Sequence, residues 1–346
     1  MLQTSQMKRK IGALLLACLF VCSSFTGFLG GDAFAGSKTR PDGLTVKTDA
    51  GGSITTAAYF SWDQLNALPH SQASFSSIDS MPSPVFTAAN AVTLREIINR
   101  SGIEPETISG FKITGNDDYV TTFTKSFLFG IARYYYPNLY SCFDSSIFPA
   151  FKAGIDTGVA PTEPTLGLQS YQDRSIDAPQ FNKLDEASSP RLCFGQKNPS
   201  DAITGMYPKW TKEILLNIDP AASSVWLNTP LPNTAYKTGD TIDIAGRAQN
   251  IASLHIIIRN YAGDQITDQA NVPVTNNTFF SSVILPDTAL SGTYSVTAAD
   301  GSNSLAVSTF SYEKQSLRPT ISAPNDGQKF KQGTTVAFTG VRLLEQ

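Results

Sequence analysis

Hydrophobic residues follow helical spacing at two places in the first half of the chain. The stretch SWDQLNALP, residues 61–69, opens with Ser and Gln three residues apart, as in a capping box, and closes on Pro. TLREIINRSG, residues 93–102, has Thr and Glu at the same capping-box spacing. It also has an apolar stripe and ends on a Gly that stops the helix. Around these helices, LTVKT at 44–48 predicts an edge strand, GFKITGNDDYVTTFT at 110–124 predicts two strands around an Asn-Asp turn, and KWTKEILLNI at 209–218 predicts another strand. This half of the chain therefore predicts a mixed α and β domain.

The pattern changes to strand after strand between residues 225 and 313. VWLN, DTIDIAG, LHIIIRN, NTFFSSVIL, GTYSVTAAD and LAVSTFSYE are short β-type runs separated by turn signals, for example at 262–264 and 300–301. An all-β immunoglobulin-like sandwich of about 90 residues, without the disulfide of antibody domains, accounts for them. The intervening residues 138–190, which are rich in Pro, Ser and Asp, predict a loop-rich region.

An internal repeat follows the sandwich. KTGDTIDIAG at 237–246 returns as KQGTTVAFTG at 331–340, which indicates that a second sandwich begins near residue 319. The chain has room for about two of its strands, and two strands cannot bury the faces of a sandwich. We expect either a truncated product or a fragment of a longer array.

The N-terminus has the layout of a secretory signal peptide. Basic MKRK precedes the apolar run IGALLLACLFV, and AFA at 33–35 is a small-residue cleavage site, so we expect cleavage after Ala35. A single-span anchor and a lipoprotein modified at Cys18 are the alternatives. No later segment is apolar enough to span a bilayer, which predicts a secreted or cell-surface protein without a membrane span in the mature chain.

Charge and cysteine content argue against two classes of function, nucleic-acid binding and zinc binding. Loss of residues 1–35 removes three basic residues and one acidic residue, which moves the formal net charge from −3 to about −5. No basic run remains, so we expect no nucleic-acid partner. Two cysteines, Cys142 and Cys193, survive cleavage, and the chain has two histidines, His70 and His255. These are too few soft ligands for the usual zinc sites.

Six stretches occur in an order that resembles a known family: FSWDQLNALP, AVTLREIINRSGI, FKITGNDDYVTTFT, RYYYPN, RLCFGQ and PKWTKEILLNI. In this order they resemble the molybdopterin-binding domain of the sulfite oxidase family, in particular exported Firmicutes-type members with trailing immunoglobulin-like modules. We therefore expect a multi-domain chain: a signal peptide at 1–35, a mixed α/β sulfite oxidase-type molybdopterin-binding-like domain at 36–220, an all-β immunoglobulin-like sandwich at 221–316 and the start of a truncated second repeat at 317–346.

The resemblance also implies where the metal ligand would be. Catalytic members use a cysteine thiolate between the first two helices, but residues 71–90 contain no cysteine, and Ser76 or Ser77 stands near the vacated position. A serine hydroxyl is protonated near neutral pH and is a poor ligand for a soft metal. Arg191 matches an arginine that lies near the cofactor phosphate in catalytic relatives; the alternative is a structural arginine on a strand. We expect no cofactor, and molybdopterin only if the domain is an oxidoreductase with an atypical ligand.

The two remaining cysteines favour a structural role. An even pair in an exported chain predicts a disulfide between Cys142 and Cys193, ahead of a reactive thiol. Such a bridge would close a loop of about 50 residues and stabilise the fold by about 2–4 kcal/mol. Because Cys193 lies far from the family's ligand position, the resemblance gives it no catalytic role.

For the other candidate residues, a structural role is the alternative to a functional one. Asp117 and Asp118 could act as acid and base or bind calcium, but two aspartates more often form a turn. RYYYPN at 133–138 could be an aromatic platform for a sugar, or packing. Our leading hypothesis is an exported cell-surface or cell-wall protein with a degenerate, non-catalytic molybdopterin-binding-like domain that binds a cell-wall polymer or another surface protein. The alternatives are a molybdopterin-dependent oxidoreductase and a purely structural envelope component.

Overall fold

The computed structural model describes residues 36–144, 146, 150–174, 178–232, 234–301, 303–315, 317–323, 329, 331–332 and 339–344. The chain divides into two compact units, Met1–Ser37 and Lys38–Gln346, and every element named below belongs to the second unit. The predicted signal peptide lies outside the described residues, as does most of the repeated KQGTTVAFTG stretch.

A five-stranded sheet forms one layer of the first domain. Its strands in spatial order are β2 (Ser53–Ser61), β1 (Gly43–Ala50), β11 (Thr211–Ile218), β5 (Ile108–Gly115) and β6 (Val120–Thr124). β1 and β11 run parallel, and the other neighbours are antiparallel. The prediction that β1 is an edge strand is wrong, since it lies between β2 and β11. The alternation of polar and apolar residues along β1 indicates that one face of the strand is buried. It does not indicate whether the strand lies at the edge or inside the sheet.

A four-stranded antiparallel sheet forms the second layer. Its spatial order is β10 (Arg191–Cys193), β9 (Thr165–Asp173), β4 (Pro84–Thr93) and β3 (Ser71–Ile78). A small pair, β7 (Arg133–Tyr135) and β8 (Ala160–Thr162), forms a separate two-stranded sheet. The region predicted to be loop-rich thus contains β8 and the nine-residue β9. Side chains from both layers, including Val46, Phe111 and Leu166, share one hydrophobic core.

The helices are short, and the two predicted ones begin at their capping residues, Ser61 and Thr93. They are α1 (Trp62–Ala67), α2 (Leu94–Arg100), α3 (Lys125–Phe129) and α4 (Leu139–Cys142), with 3₁₀ turns at Pro105–Thr107, Phe181–Lys183 and Thr204–Met206. The capping box at the start of α1 is complete. At α2, Thr93 Oγ1 accepts from the Glu96 amide at 3.0 Å, but the Glu96 carboxylate accepts from Arg100 instead of closing the box. Gly102 follows α2 with φ +69°, the left-handed conformation of a helix stop.

The first domain is therefore mainly β, because its longest described helix has seven residues. This composition gives no support to the expected mixed α/β sulfite oxidase-type fold. None of the described helices has the length or hydropathy of a membrane span.

Residues 224–313 form a two-sheet sandwich, as the sequence predicts. One sheet contains β12 (Ser224–Thr229), β14 (Thr241–Gln249) and β17 (Thr278–Ile284) in that order. The other contains β13 (Ala235–Lys237), β19 (Asn303–Glu313), β18 (Gly292–Asp300), β15 (Ser253–Asn260) and β16 (Gln265–Pro273). β13 pairs with β19 in parallel, and all other pairs are antiparallel. In the letters used for immunoglobulin domains this order is A-B-E facing A′-G-F-C-C′.

The sandwich has its own core, but its first strand also completes the core of the first domain. Ile244, Val296 and Phe310 belong to the sandwich core. Trp226 on β12 belongs instead to the first-domain core, where its ring packs 4.8 Å from that of Phe129. Beyond the sandwich, β20 (Leu317–Ala323) pairs antiparallel with β21 (Thr339–Leu344). The expected domain boundaries stay predictions.

Candidate functional site

The two serines at the vacated ligand position are buried, and each is hydrogen-bonded within the protein. Ser76 lies on β3, where its Oγ donates to Gln196 Oε1 at 2.7 Å and accepts from the Tyr136 amide at 2.8 Å. Ser77 Oγ donates to a neighbouring backbone carbonyl and accepts from the Ile203 amide, both at 3.0 Å. Each hydroxyl already uses its proton and one lone pair within the fold.

Gln196 connects the stretches RLCFGQ and RYYYPN. Its carboxamide donates to the carbonyls of Pro199 and Asp201 at 3.0 and 3.1 Å and accepts from Ser76. Its backbone exchanges two hydrogen bonds with Tyr134, at 2.8 and 2.9 Å. Sequence reasoning missed this residue. An amide side chain three residues after the end of a buried strand was the available signal. We name the group of Ser76, Ser77, Gln196 and the backbone of Tyr134 and Tyr136 the polar centre.

Arg133 holds the same two stretches together. It is 3% exposed and donates to the carbonyls of Gly195 and Phe127 at 3.1 and 2.6 Å. Its guanidinium lies 4.4 Å from the Phe127 ring centroid, and burial lowers its pKa. Tyr134 and Tyr136 are buried. The rings of Tyr134 and Tyr136 thus serve packing and offer no open platform.

Both cysteines are free among the described residues, so the structure does not show the predicted disulfide. Cys193 is completely buried on β10 in the core between the two sheets, and burial raises the pKa of its thiol to about 12, although Arg191 opposes the rise. Cys142 ends α4, where its Sγ donates to the Ala153 carbonyl at 3.6 Å. Each thiol has its own local surroundings, which the even count in the sequence could not reveal.

Arg191, the predicted cofactor-binding residue, is 4% exposed on β10. Burial lowers its pKa, and the nearby groups that oppose this are Cys193, Tyr207 and Asp185. Its Nε and Nη1 have no hydrogen-bond partner among the described residues. Burial also lowers the pKa of Lys209, with Arg191 contributing to the shift. The predicted contact of Arg191 with a cofactor phosphate stays a prediction.

The residues near the vacated position do not fit the molybdenum ligand that the resemblance implies. The serine hydroxyls are engaged, and a thiol with a pKa of about 12 stays protonated at neutral pH. The surroundings are also closely packed. A Cβ added to Gly195 would lie 2.0 Å from Thr162 Oγ1 and 2.6 Å from the Tyr134 carbonyl oxygen.

The other sequence candidates lie apart from the polar centre. Asp118 occupies the turn between β5 and β6 with φ +62° and forms an ion pair with Lys212 at 2.7 Å. Asp117 accepts from the Tyr119 amide at 3.2 Å, so the two aspartates build a turn. His255 contacts Asp268 on the neighbouring strand. Within the described part of the chain, no group of three or more His, Cys, Asp or Glu could hold a metal ion.

Two open clefts lie where the first domain meets the sandwich. The larger, which we name the junction cleft, has a volume of about 770 Å³ and is lined by α2, β4 and residues of the sandwich. Arg95 Nε lies 3.5 Å from Glu163 Oε2 in this cleft, and Arg247 Nη2 lies 2.7 Å from Glu106 Oε1. Burial lowers the pKa of Arg95 and raises that of Glu163. The charges of the junction cleft are thus largely matched within the protein.

The second cleft surrounds Tyr261 and has a volume of about 430 Å³. It is formed by residues 156–159 of the first domain, the turn between β15 and β16, and residues 290–294. The Tyr261 hydroxyl donates to Asp156 Oδ1 at 2.7 Å and lies 3.1 Å from the Tyr136 hydroxyl. Nothing in the sequence pattern connects these segments, which are more than 100 residues apart.

Comparison with known proteins bears on the sandwich. No protein-family model matches the chain, and none of the curated proteins matches it. Among solved structures, the RIG-5 IG1 homodimer is 9% identical, covering 28% of this chain and 100% of that one, with a TM-score of 0.21. The M1 domain from titin is 12% identical over 28% of this chain and 99% of its own, with a TM-score of 0.19. The fibronectin(III)-like modules of Clostridium thermocellum CbhA are 8% identical over 71% of this chain and 95% of their own, also at 0.19.

The sandwich is immunoglobulin-like. Because all three TM-scores are below 0.5, this assignment rests on the strand order and on the parallel pairing of β13 with β19.

Proposed function

We propose that the protein is an exported cell-surface or cell-wall protein that binds or supports a partner and performs no redox chemistry. In this proposal the first domain is a degenerate relative of the sulfite oxidase-type molybdopterin-binding domain, coupled to an immunoglobulin-like sandwich. The observation that carries the proposal is the state of the polar centre. The hydroxyls of Ser76 and Ser77 form hydrogen bonds with protein groups near the position where catalytic members of that family have a thiolate ligand.

The test is metal and pterin analysis of the purified full chain. We expect no stoichiometric molybdenum by elemental analysis, no pterin fluorescence after denaturation, and no turnover of sulfite or sulfoxides. Stoichiometric molybdenum that is lost in Cys193→Ser but kept in Cys142→Ser would contradict the proposal. It would favour the alternative, an oxidoreductase with an atypical ligand.

The export part of the proposal rests on the pattern of residues 1–35 and on the low charge content. We expect secretion into the medium or the cell-wall fraction, with Gly36 as the first residue of the processed chain. Cell fractionation and N-terminal sequencing test this. Recovery of unprocessed chain from the cytosol would contradict it.

A structural role in the envelope is the second candidate, and the contacts between the two domains favour it. Arg95 stacks 4.4 Å from the centroid of Trp226, Lys125 Nζ donates to Ser224 Oγ at 2.6 Å, and Arg247 pairs with Glu106. Contacts of this kind suit a rigid spacer. Failure of the chain to retain any cell-wall polymer or surface protein in pull-downs would favour this role over binding.

A further inference from the structure

The cleft around Tyr261 has the shape and chemistry of a small-ligand site. We infer that this Tyr261 cleft binds a neutral saccharide unit, using the tyrosine ring as a stacking face and the polar groups around it for the sugar hydroxyls. The inference names the class of ligand for the proposed binding function, and it rests on that proposed function. The residues that carry the argument are Asp156, Val159, Tyr261 and Leu290.

The ring of Tyr261 is fixed in place by contacts from the first domain. Its hydroxyl is held by Asp156, and the rings of Tyr134 and Tyr136 stand edge-on to it at centroid distances of 5.1 and 6.5 Å. Gly263, at φ +93°, allows the tight turn that presents the ring. A ring ordered before binding costs less conformational entropy when a ligand arrives. The buried Tyr134 and Tyr136 therefore support the ring of Tyr261, which is itself partly buried.

The lining combines apolar and hydrogen-bonding surfaces. Val159, Leu290 and the Tyr261 ring supply the apolar part, and Leu290 is 70% exposed. Asp156 accepts from Tyr261 through Oδ1 and has Oδ2 as a further acceptor for a ligand hydroxyl. The carboxamide of Asn260 is held by Asp264, because its Nδ2 donates to Asp264 Oδ2 at 2.9 Å and its Oδ1 accepts from the Asp264 amide at 2.8 Å. A sugar ring has the matching character, with C–H groups on one face and hydroxyls at its edge. The volume of about 430 Å³ lies within the about 300–1,000 Å³ that is typical of ligand sites.

Charge decides against an ionic ligand. Among the described residues that line the Tyr261 cleft, Asp156 alone is charged, and its carboxylate already accepts a hydrogen bond from Tyr261. With no cation in the lining, a phosphate- or carboxylate-bearing polymer would meet only repulsion. The junction cleft, by contrast, is lined by ion pairs that a neutral ligand would have to disturb. The Tyr261 cleft is therefore the better fit for a neutral sugar.

The test is titration of the full processed chain with neutral oligosaccharides by isothermal calorimetry. Chitohexaose, cellohexaose and maltohexaose are the probes, and polygalacturonate is the anionic comparison. We expect at least one neutral probe to bind and Tyr261→Ala to weaken it about tenfold or more, because the stacking face is lost. Tyr261→Phe, which keeps the ring, should retain most of the affinity. Tyr140→Ala is the matched control, since that tyrosine is 45% exposed elsewhere on the first domain.

A second variant keeps the test decisive if Tyr261→Ala does not fold. Leu290→Asp places a charge on an exposed rim side chain and should also weaken the neutral probe, while the melting temperature stays near that of the wild type. The inference is overturned if no neutral probe binds, if both variants bind like the wild type, or if polygalacturonate binds more tightly than every neutral probe. These outcomes are independent of the molybdenum analysis, so failure of the saccharide site and failure of the proposed non-catalytic function are distinguishable.

Discussion

Arg247 of the sandwich forms an ion pair with Glu106 of the first domain, with Nη2 and Oε1 2.7 Å apart. Glu106 is 2% exposed, and its second oxygen has no hydrogen-bond partner among the described residues. Burial raises the pKa of this carboxyl, while Arg247 lowers it. The sandwich therefore supplies the charge that a buried carboxylate of the first domain requires, and the two domains are coupled in stability.

Arg247→Ala should destabilise the whole chain, because it leaves the Glu106 carboxylate buried without its cation. A buried hydrogen-bonding group that loses its partner costs about 1–3 kcal/mol, and a charged group costs more. Arg100→Ala is the control, since Arg100 pairs with Glu96 on the surface of α2 and should cost under about 0.5 kcal/mol. Urea unfolding of both variants measures the difference. Equal stability of the two variants would show that the junction pair contributes nothing.

Lys125 makes the stability of this junction depend on pH. Its ammonium donates to the Pro105 carbonyl and to Ser224 Oγ, and burial lowers its pKa to about 7 in the folded protein. In the unfolded chain the pKa is about 10.4. Between these values the unfolded chain binds more protons than the folded one, so stability should rise as the pH increases above 7.

The comparison that isolates this effect is wild type against Lys125→Met between pH 6.5 and 8.5. The variant lacks the titrating group, so the stability difference between the two proteins should change in favour of the wild type as the pH rises. Loss of the two hydrogen bonds in the variant adds an offset that does not depend on pH. A difference that is constant across this range would contradict the lowered pKa of Lys125.

Local features of the fold could be predicted from the sequence, and long-range ones could not. The start of α1 and the Asn-Asp turn between β5 and β6 follow from residues that are neighbours in the chain. β4 and β9 were missed, because both are covered on their two faces and so lack the alternation that reveals a half-buried strand. Tyr261 was missed for another reason. Its partner Asp156 comes from a segment 105 residues away.

The cysteines should behave as two buried free thiols. In the processed chain, we expect little reaction with iodoacetamide at pH 8 while the protein is folded, because Cys193 is inaccessible and has a pKa of about 12. Cys142 is also buried. After unfolding in guanidinium, both should react. Mass spectrometry under non-reducing conditions counts the labels, and a species two hydrogen atoms lighter that resists labelling would show that the disulfide forms.

Ser76→Ala tests whether the polar centre is structural. The substitution leaves the Tyr136 amide and Gln196 Oε1 without the hydroxyl that links them, in a place that water does not reach. We expect a loss of about 1–3 kcal/mol in unfolding free energy, measured by urea titration. Ser71→Ala, at the exposed start of the same strand, is the matched control and should change stability by less than about 0.5 kcal/mol. A hydroxyl kept for a metal would show the opposite behaviour, since Ser76→Ala would then lower the metal content and leave the stability of the metal-free chain unchanged.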